Sequence, residues 1–126
     1  MILAVDVGNT HTVAGLYQGE TLAYHWRFLT EAERTADEYG VLLRSLFASC
    51  ELSLSSVDGI VMSSVVPAML KTVEELAQKY FRITPLIVGP GIKTGMPILY
   101  DNPREVGADR IVNAVAAYER YRTATI

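Results

Sequence analysis

The stretch Ile2-Leu-Ala-Val-Asp-Val-Gly-Asn-Thr10 opens the chain with an apolar run of strand length that ends in residues typical of turns. Thr12 to Tyr17 is a second β-rich stretch, and the composition of a turn follows at Gln18-Gly-Glu20. From Leu22 to Phe28 apolar side chains alternate with others, which is the period of two expected of a strand. Three strands joined by short turns therefore predict an antiparallel meander.

Beyond Phe28 the hydrophobic pattern alternates between helical and strand periods. Apolar residues from Tyr39 to Cys50 fall on one helical stripe, with Thr35 as the predicted N-cap and Glu38 three residues later. The further predicted elements are a strand at Asp58–Ser64, a helix beginning at Pro67, a strand at Pro85–Val88 and a helix from about Gly107 to Arg122. The order β-β-β-α-β-α-β-α predicts an α/β fold with a mixed sheet.

The composition excludes several functional classes. The 126 residues are enough for one domain, half of them are hydrophobic, and the formal charge is −3. No basic run is present to match a line of phosphates, which argues against nucleic acid as a partner. Asp6 stands where a signal peptide would still be apolar, and no run of about 18 apolar residues is available to span a membrane. Together with the single cysteine, Cys50, these features predict a cytoplasmic protein.

Asp6 and the turn Gly8-Asn9-Thr10 form the first candidate site. Glycine lets the backbone approach a ligand closely, and the Asn and Thr side chains add donors to the amides of the turn, which together can hold phosphate oxygens. Asp6 would then orient a Mg²⁺ ion directly or through its water shell, because this hard cation selects carboxylate and water oxygens. The same residues are equally compatible with an ordinary hairpin turn capped by Asp6.

A second candidate site precedes the last predicted helix. The segment Tyr100 to Arg110 contains a tyrosine, three acidic residues and two arginines. If Gly107–Arg110 is the first turn of that helix, its amides and positive end can receive an anionic group, with Arg110 as a forked donor. Asp109 could accept a hydroxyl proton there. Alternatively, Asp109 is a first-turn residue favoured by the helix dipole, and Arg110 is its surface partner.

The other conspicuous residues have structural interpretations. Trp26 is expected in the core, Cys50 is expected to pack at the end of its helical stripe, and His11 and His25 lack neighbours that would indicate catalysis. The segment Ser63-Ser-Val-Val-Pro67 is a strand-to-helix turn. Its hydroxyls either cap the helix, which is the commoner use, or reach a ligand.

Three segments together resemble the type III pantothenate kinases: Asp6-Val-Gly-Asn-Thr10 with Gly15, Ser63-Ser-Val-Val-Pro67, and Tyr100-Asp-Asn-Pro-Arg-Glu-Val-Gly-Ala-Asp-Arg110. The first segment is shared with many actin-like ATPases, whereas the third is specific. The resemblance covers the whole chain and implies that residues 1–126 form a ribonuclease-H-like domain of the actin-like ATPase superfamily. It also implies ATP-dependent phosphorylation of the terminal hydroxyl of pantothenate, the first step of coenzyme A synthesis.

The resemblance further implies which residues would act. The ATP phosphate loop would consist of Asp6, Val7, Gly8, Asn9, Thr10, His11, Thr12 and Val13. The pantothenate site would consist of Tyr100, Gly107, Ala108, Asp109 and Arg110. Asp109 would be the general base, and Asp6 would hold Mg²⁺ directly or through water.

The resemblance implies a second domain, which members of this family carry and which we expect beyond Ile126. That domain supplies the ligands of a monovalent cation, K⁺ or NH₄⁺, and further ATP contacts, so these ligands are expected beyond Ile126. The resemblance also implies a homodimer with the substrate site near the subunit interface. We expect this N-terminal half to be inactive alone, because the nucleotide of the family lies in the cleft between the two domains.

Two other functions are compatible with the same residues. One is a nucleotide-binding, actin-like regulatory module that acts through protein partners, since this family has also been described as a transcription-accessory factor. The other is a sugar kinase of the same superfamily, which would share only the first loop. The dependence of ATP consumption on pantothenate, on a sugar or on neither distinguishes the three.

Overall fold

The computed structural model describes residues 1–88, so the helix predicted at Gly107–Arg122 lies outside the described part. The strands are β1 (Ile2–Val7), β2 (His11–Gln18), β3 (Thr21–Leu29), β4 (Gly59–Ser64) and β5 (Leu86–Val88). The helices are α1 (Ala36–Ser49) and α2 (Pro67–Leu76), with a 3₁₀ turn at Leu54–Ser56 and a π-helical turn at Ala77–Phe81. The predicted elements that fall within residues 1–88 are confirmed in type and order.

The five strands form one mixed sheet in the order β3-β2-β1-β4-β5. β1 pairs antiparallel with β2, and β2 pairs antiparallel with β3, as expected of a meander. β4 adds parallel to β1 and β5 parallel to β4, and the helices α1 and α2 make the crossovers that parallel neighbours require. The mixed α/β fold is therefore confirmed, and β1 is its central strand.

Successive side chains of β1 point to opposite faces of the sheet. Leu3 and Val7 are buried on the face against which α1 and α2 pack. Ala4 and Asp6 point to the other face, whose concave surface is lined by strand residues alone within the described part of the chain. We call the first the covered face and the second the open face.

The core lies between the covered face and the two helices. Its largest fully buried side chains are Phe47, Leu3, Leu16, Met62, Met69 and Val7. Trp26 packs at the edge of this core, half-buried, with its ring stacked on that of Phe47 at a centroid distance of 5.1 Å. The expectation that Trp26 contributes to the core is therefore confirmed.

Both helices begin where the sequence predicts. The Thr35 side chain accepts from the Glu38 N–H, and the Glu38 carboxylate accepts from the Thr35 N–H, which is the reciprocal capping box at the start of α1. Pro67 is in the first turn of α2. Cys50 is the C-cap of α1 and is half-buried.

Two irregularities were not predicted from the periodicity. A bulge between Leu16 and Tyr17 shifts the register of β2 against β3, so that Leu22 lines the open face instead of following Tyr24 onto the covered one. The alternation predicted from Leu22 onward is therefore wrong at that residue. The second irregularity is the π-helical turn, which continues the chain from the end of α2 to Phe81.

No helix among the described residues is long and apolar enough to cross a membrane.

Candidate functional site

The turn between β1 and β2 is tight and requires glycine at its first position. The Gly8 N–H donates to the carbonyl oxygen of His11 at 3.0 Å. A Cβ atom at residue 8 would lie only 2.9 Å from that oxygen, so any other residue would push the turn open. Asn9 and Thr10 at the tip are exposed. The turn therefore presents polar side chains to solvent on a backbone whose shape is fixed.

The loop that follows β3 holds the far side of this turn. The Thr30 N–H donates to the carbonyl oxygen of Thr10 at 2.8 Å. The hydroxyls of Thr12 and Thr30 are hydrogen-bonded to each other, also at 2.8 Å, and Thr12 is buried. These contacts join two segments far apart in sequence and fix the position of the turn relative to the sheet.

Asp6 is the acidic residue next to this turn, and it lies on the open face. Its neighbour on the parallel strand β4 is Ser63, which faces it across the sheet in register. The Ser63 hydroxyl donates to Oδ1 of Asp6 at 2.7 Å, and Ser63 is only 4% exposed while Asp6 is exposed. One carboxylate oxygen is thus held by the sheet, and the carboxylate as a whole faces solvent.

The open face forms a broad groove beside Asp6. Its volume is about 380 Å³, and Asp6 and Ser63 are among the residues that line it. Its other lining residues are mainly apolar, and they include Ala4, Val13, Gly15, Leu22 and Val61. A separate cavity of about 30 Å³ lies inside the core among apolar side chains, and we assign it to packing. Asp6 and Ser63 form the polar end of the groove, and Asp6 lies two residues before Gly8 in the chain.

The donor set at Asp6 suits a magnesium ion that arrives with a nucleotide. Residues 1–88 contain no group of three metal-ligating side chains. Mg²⁺ in nucleotide sites usually keeps several waters and is held by one or two carboxylates together with the phosphates, so a full protein cage is not needed. A single exposed carboxylate beside an exposed turn fits that pattern.

The structure brings the residues of the predicted phosphate loop together at one corner of the open face. Within that loop, the exposed residues are Asp6, Asn9, Thr10, His11 and Val13. Val7 and Thr12 are buried toward the covered face, so their contribution is to shape the loop. The predicted substrate residues, namely Tyr100, Gly107, Ala108, Asp109 and Arg110, lie outside the described residues, and their roles stay predictions.

Two residues of this site were not assigned to it from the sequence. The sequence leaves two uses open for the hydroxyls of Ser63 and Ser64, a helix cap or contact with a ligand, and the structure gives the two residues different hydrogen-bond partners. Ser64 accepts from the Val66 N–H at 3.0 Å and so shapes the turn, while Ser63 bonds Asp6. Thr30 carried no sequence signal at all, because its partners become neighbours only when the meander has formed.

Within residues 1–88, a cluster of three side chains with shifted pKa values lies away from Asp6, between the start of α1 and the π-helical turn. Lys79 and Tyr80, in the π-helical turn that follows α2, both donate to Oδ1 of Asp37 at the start of α1, at 2.8 and 2.7 Å. These hydrogen bonds lower the pKa of Asp37 and raise those of Lys79 and Tyr80. Since this cluster joins the two helices on the covered side, it is a structural contact and is separate from Asp6.

Comparison with known proteins identifies relatives over the whole chain. Residues 2–126 match the family model described as type III pantothenate kinase. Proteins named type III pantothenate kinase from Halalkalibacterium halodurans and Anaeromyxobacter sp. (strain K) are 60% and 59% identical, over 96% and 100% of this chain. A protein of the same name from Myxococcus xanthus is 55% identical over 100% of the chain. The chain spans about half the length of these relatives, with 48%, 50% and 49% of each covered.

Proposed function

Because the chain belongs to the type III pantothenate kinase family, we propose that it is the ATP-binding half of an enzyme that phosphorylates pantothenate. The proposal covers the substrates, ATP and pantothenate, and the product, 4′-phosphopantothenate. The observation that carries it is the corner formed by Asp6 and the Gly8 turn. An exposed carboxylate there stands beside a glycine-dependent turn at the end of the central strand.

In the proposed site, the turn holds the phosphates and Asp6 holds Mg²⁺, directly or through water. Exposed donors of Asn9 and Thr10 suit phosphate oxygens, and the fixed backbone of the turn lowers the entropy lost on binding. The Mg²⁺ ion, when bound with the nucleotide, neutralises charge that develops on the phosphates. A monovalent cation, K⁺ or NH₄⁺, is part of the proposal, with its ligands beyond Ile126.

The acceptor side of the reaction is proposed from the sequence segment Tyr100 to Arg110. Asp109 accepts the proton of the terminal hydroxyl of pantothenate as the hydroxyl oxygen attacks the γ-phosphorus. The bond between that phosphorus and the oxygen bridging to the β-phosphate breaks, and ADP leaves with the electron pair. Arg110 binds a negative group of the substrate, with Tyr100, Gly107 and Ala108 around it. We further propose a cytoplasmic homodimer, as implied by the family.

The experiment is to measure pantothenate-dependent ADP release by the full-length gene product with Mg²⁺ and K⁺ present. We expect Asp109→Asn and Asp6→Asn each to lower the rate by about 10²- to 10⁴-fold, the usual contribution of a positioned acid–base or charged group. Ser55→Ala, on the distant and exposed 3₁₀ turn, is the control and should leave the rate unchanged. The chain of residues 1–126 alone should turn over negligibly.

The outcomes separate the candidate functions. Activity that needs pantothenate and both carboxylates supports the proposal with its assigned roles. Activity that survives in Asp109→Asn keeps the kinase and removes its proposed base. ATP consumption that depends on a sugar, or ATP binding with no pantothenate-dependent turnover, contradicts the proposal and favours the sugar kinase or the regulatory module, respectively.

A further inference from the structure

Ser63 is a buried polar side chain that donates its hydrogen bond to Asp6, the candidate metal ligand. Its hydroxyl lies 2.7 Å from Oδ1 of Asp6, and no buried side-chain polar atom in the described part of the chain lacks a partner. A hydroxyl buried in this way needs a partner for its own stability, because leaving it unpaired costs free energy. In this bond the Ser63 hydroxyl donates and the carboxyl oxygen of Asp6 accepts.

The neighbouring serine shows that this hydrogen bond is not part of the helix cap. Ser64 hydrogen-bonds both the N–H and the carbonyl of Val66, and Val66 is the N-cap residue of α2. Ser63 lies one position earlier, so its side chain points to the opposite face of β4. The two adjacent serines therefore have different roles. Ser63 binds Asp6, and Ser64 stabilises the turn into α2.

We propose that Ser63 is the positioning residue of the magnesium site. It holds Asp6 by Oδ1, so that the second oxygen, Oδ2, is the one left for the ion or its water shell beside the groove that Asp6 lines. The parallel pairing of β1 and β4 supplies this geometry, because Asp6 and Ser63 are direct partners in the register. The inference rests on the proposed ATP site, and it adds a residue that acts through Asp6 without touching the substrate.

Residues that orient a metal ligand usually change metal affinity about 10- to 100-fold when they are removed. In the full-length gene product we expect Ser63→Ala to raise by about that factor the Mg²⁺ concentration that gives half-maximal rate. Direct binding of Mn²⁺ to the enzyme–ADP complex, measured by electron paramagnetic resonance, should weaken by a similar factor. Ser64→Ala is the matched control and should leave both metal affinities unchanged.

A second pair of variants keeps the test valid if alanine disturbs folding. Ser63→Thr retains the hydroxyl, Ser63→Val replaces it by a methyl group in a side chain of nearly the same shape, and both residues suit a strand. We expect Ser63→Thr to bind Mn²⁺ like the wild type and Ser63→Val to bind it like Ser63→Ala. The melting temperatures of these two variants should be equal. A merely structural role of Ser63 would shift the melting temperature and leave Mn²⁺ affinity in place.

Two negative results have different meanings. If the wild-type protein binds Mn²⁺ with ADP and the serine variants bind it equally well, the positioning role of Ser63 is wrong and the proposed function stands. If the wild-type protein shows no metal-dependent nucleotide binding at all, the proposed function and this inference are both overturned.

Discussion

The covered face and the open face of the sheet are built from alternate residues of the same strands, yet they carry different kinds of side chain. On β1, Leu3 and Val7 are buried under the helices, while Ala4 and Asp6 line the groove. On β4, Met62 is in the core, and its neighbour Ser63 bonds the carboxylate of Asp6. The period of two along each strand separates stability from the candidate chemistry.

This separation has a mechanical consequence for the site. Packing on the covered face fixes the backbone of β1 and β4. The distance between Asp6 and Ser63 on the open face is therefore fixed as well, without further contacts to hold it. A site built on strands is more precise than one built on loops for this reason. Only the Gly8 turn needs separate anchoring, and Thr30 provides it by bonding Thr10 and Thr12.

The most direct test of the difference between the two faces is to truncate one leucine on each of them to alanine. Leu16 is fully buried on the covered face, and Leu22 lines the open face at 45% exposure. We expect Leu16→Ala to lower the free energy of unfolding by about 2–5 kcal/mol, because it leaves a cavity in a packed core. Leu22→Ala should cost about 1 kcal/mol, since roughly half of that side chain is already in water.

Urea unfolding of the two variants, followed by the fluorescence of Trp26, measures this difference. Trp26 is a suitable probe because it stacks on Phe47 in the core. Equal losses for the two variants would contradict the distinction between the faces. A larger loss for Leu22→Ala would reverse it.

A second variant tests how closely α1 and the residues that follow α2 pack over the covered face. Gly40 on α1 lies against the ring of Tyr80, and a Cβ atom at this position would overlap that ring. We expect Gly40→Ala to destabilise the protein by about 1–3 kcal/mol, the usual cost of overpacking. The sign matters, because alanine in a helix with free space around it would be stabilising by about 0.5–1 kcal/mol relative to glycine.

The control for this prediction removes the obstacle. In a Tyr80→Ala background, Gly40→Ala should become neutral or stabilising, and the difference between the two backgrounds is the coupling of the two positions. Thermal unfolding of the four proteins gives this coupling. A cost of Gly40→Ala that is independent of Tyr80 would show that the contact between the helices is not the cause.

The element types were predictable from the sequence because their signals are local. The capping box of Thr35 and Glu38 and the proline that opens α2 each lie within one helical turn, and the structure contains both. The mixed sheet followed from the order of the elements, since a meander followed by strand–helix–strand units leaves few arrangements.

The parts that were not predictable depend on contacts between distant residues. Ser63 and Asp6 are 57 positions apart, and nothing in either local sequence says that one will bond the other. The bulge that moves Leu22 to the open face arises from the fit of β2 against β3, which periodicity within one strand does not contain. The assignment of Asp109 to catalysis came from resemblance, and it stays a prediction because the described residues end before it.

The smallest expected effect concerns the polar contact that joins the helices over the covered face. Lys79 and Tyr80 lower the pKa of Asp37, so this carboxylate adds stability that is present above its unfolded pKa and is lost as the pH falls through its folded pKa. The pKa values of Lys79 and Tyr80 are raised, so their contribution is present below their unfolded pKa values and is lost as the pH rises through the folded ones. The cluster therefore contributes its full stability between about pH 3.8 and pH 10, which are the ordinary pKa values of Asp37 and Tyr80. Outside this range its contribution to stability is progressively lost.

Asp37→Asn tests this window, because asparagine keeps the shape of the side chain and removes its charge. We expect the melting temperature of the variant to lie slightly below that of the wild type between pH 5 and 9 and to converge with it in acid, where Asp37 itself is protonated. Raising the salt concentration at pH 7 should narrow the gap, since the charges of Asp37 and Lys79 are both exposed and are screened by salt. A gap that persists below pH 3 would show that Asp37 acts through packing or capping of α1, and the pH-dependent link between the helices would then be wrong.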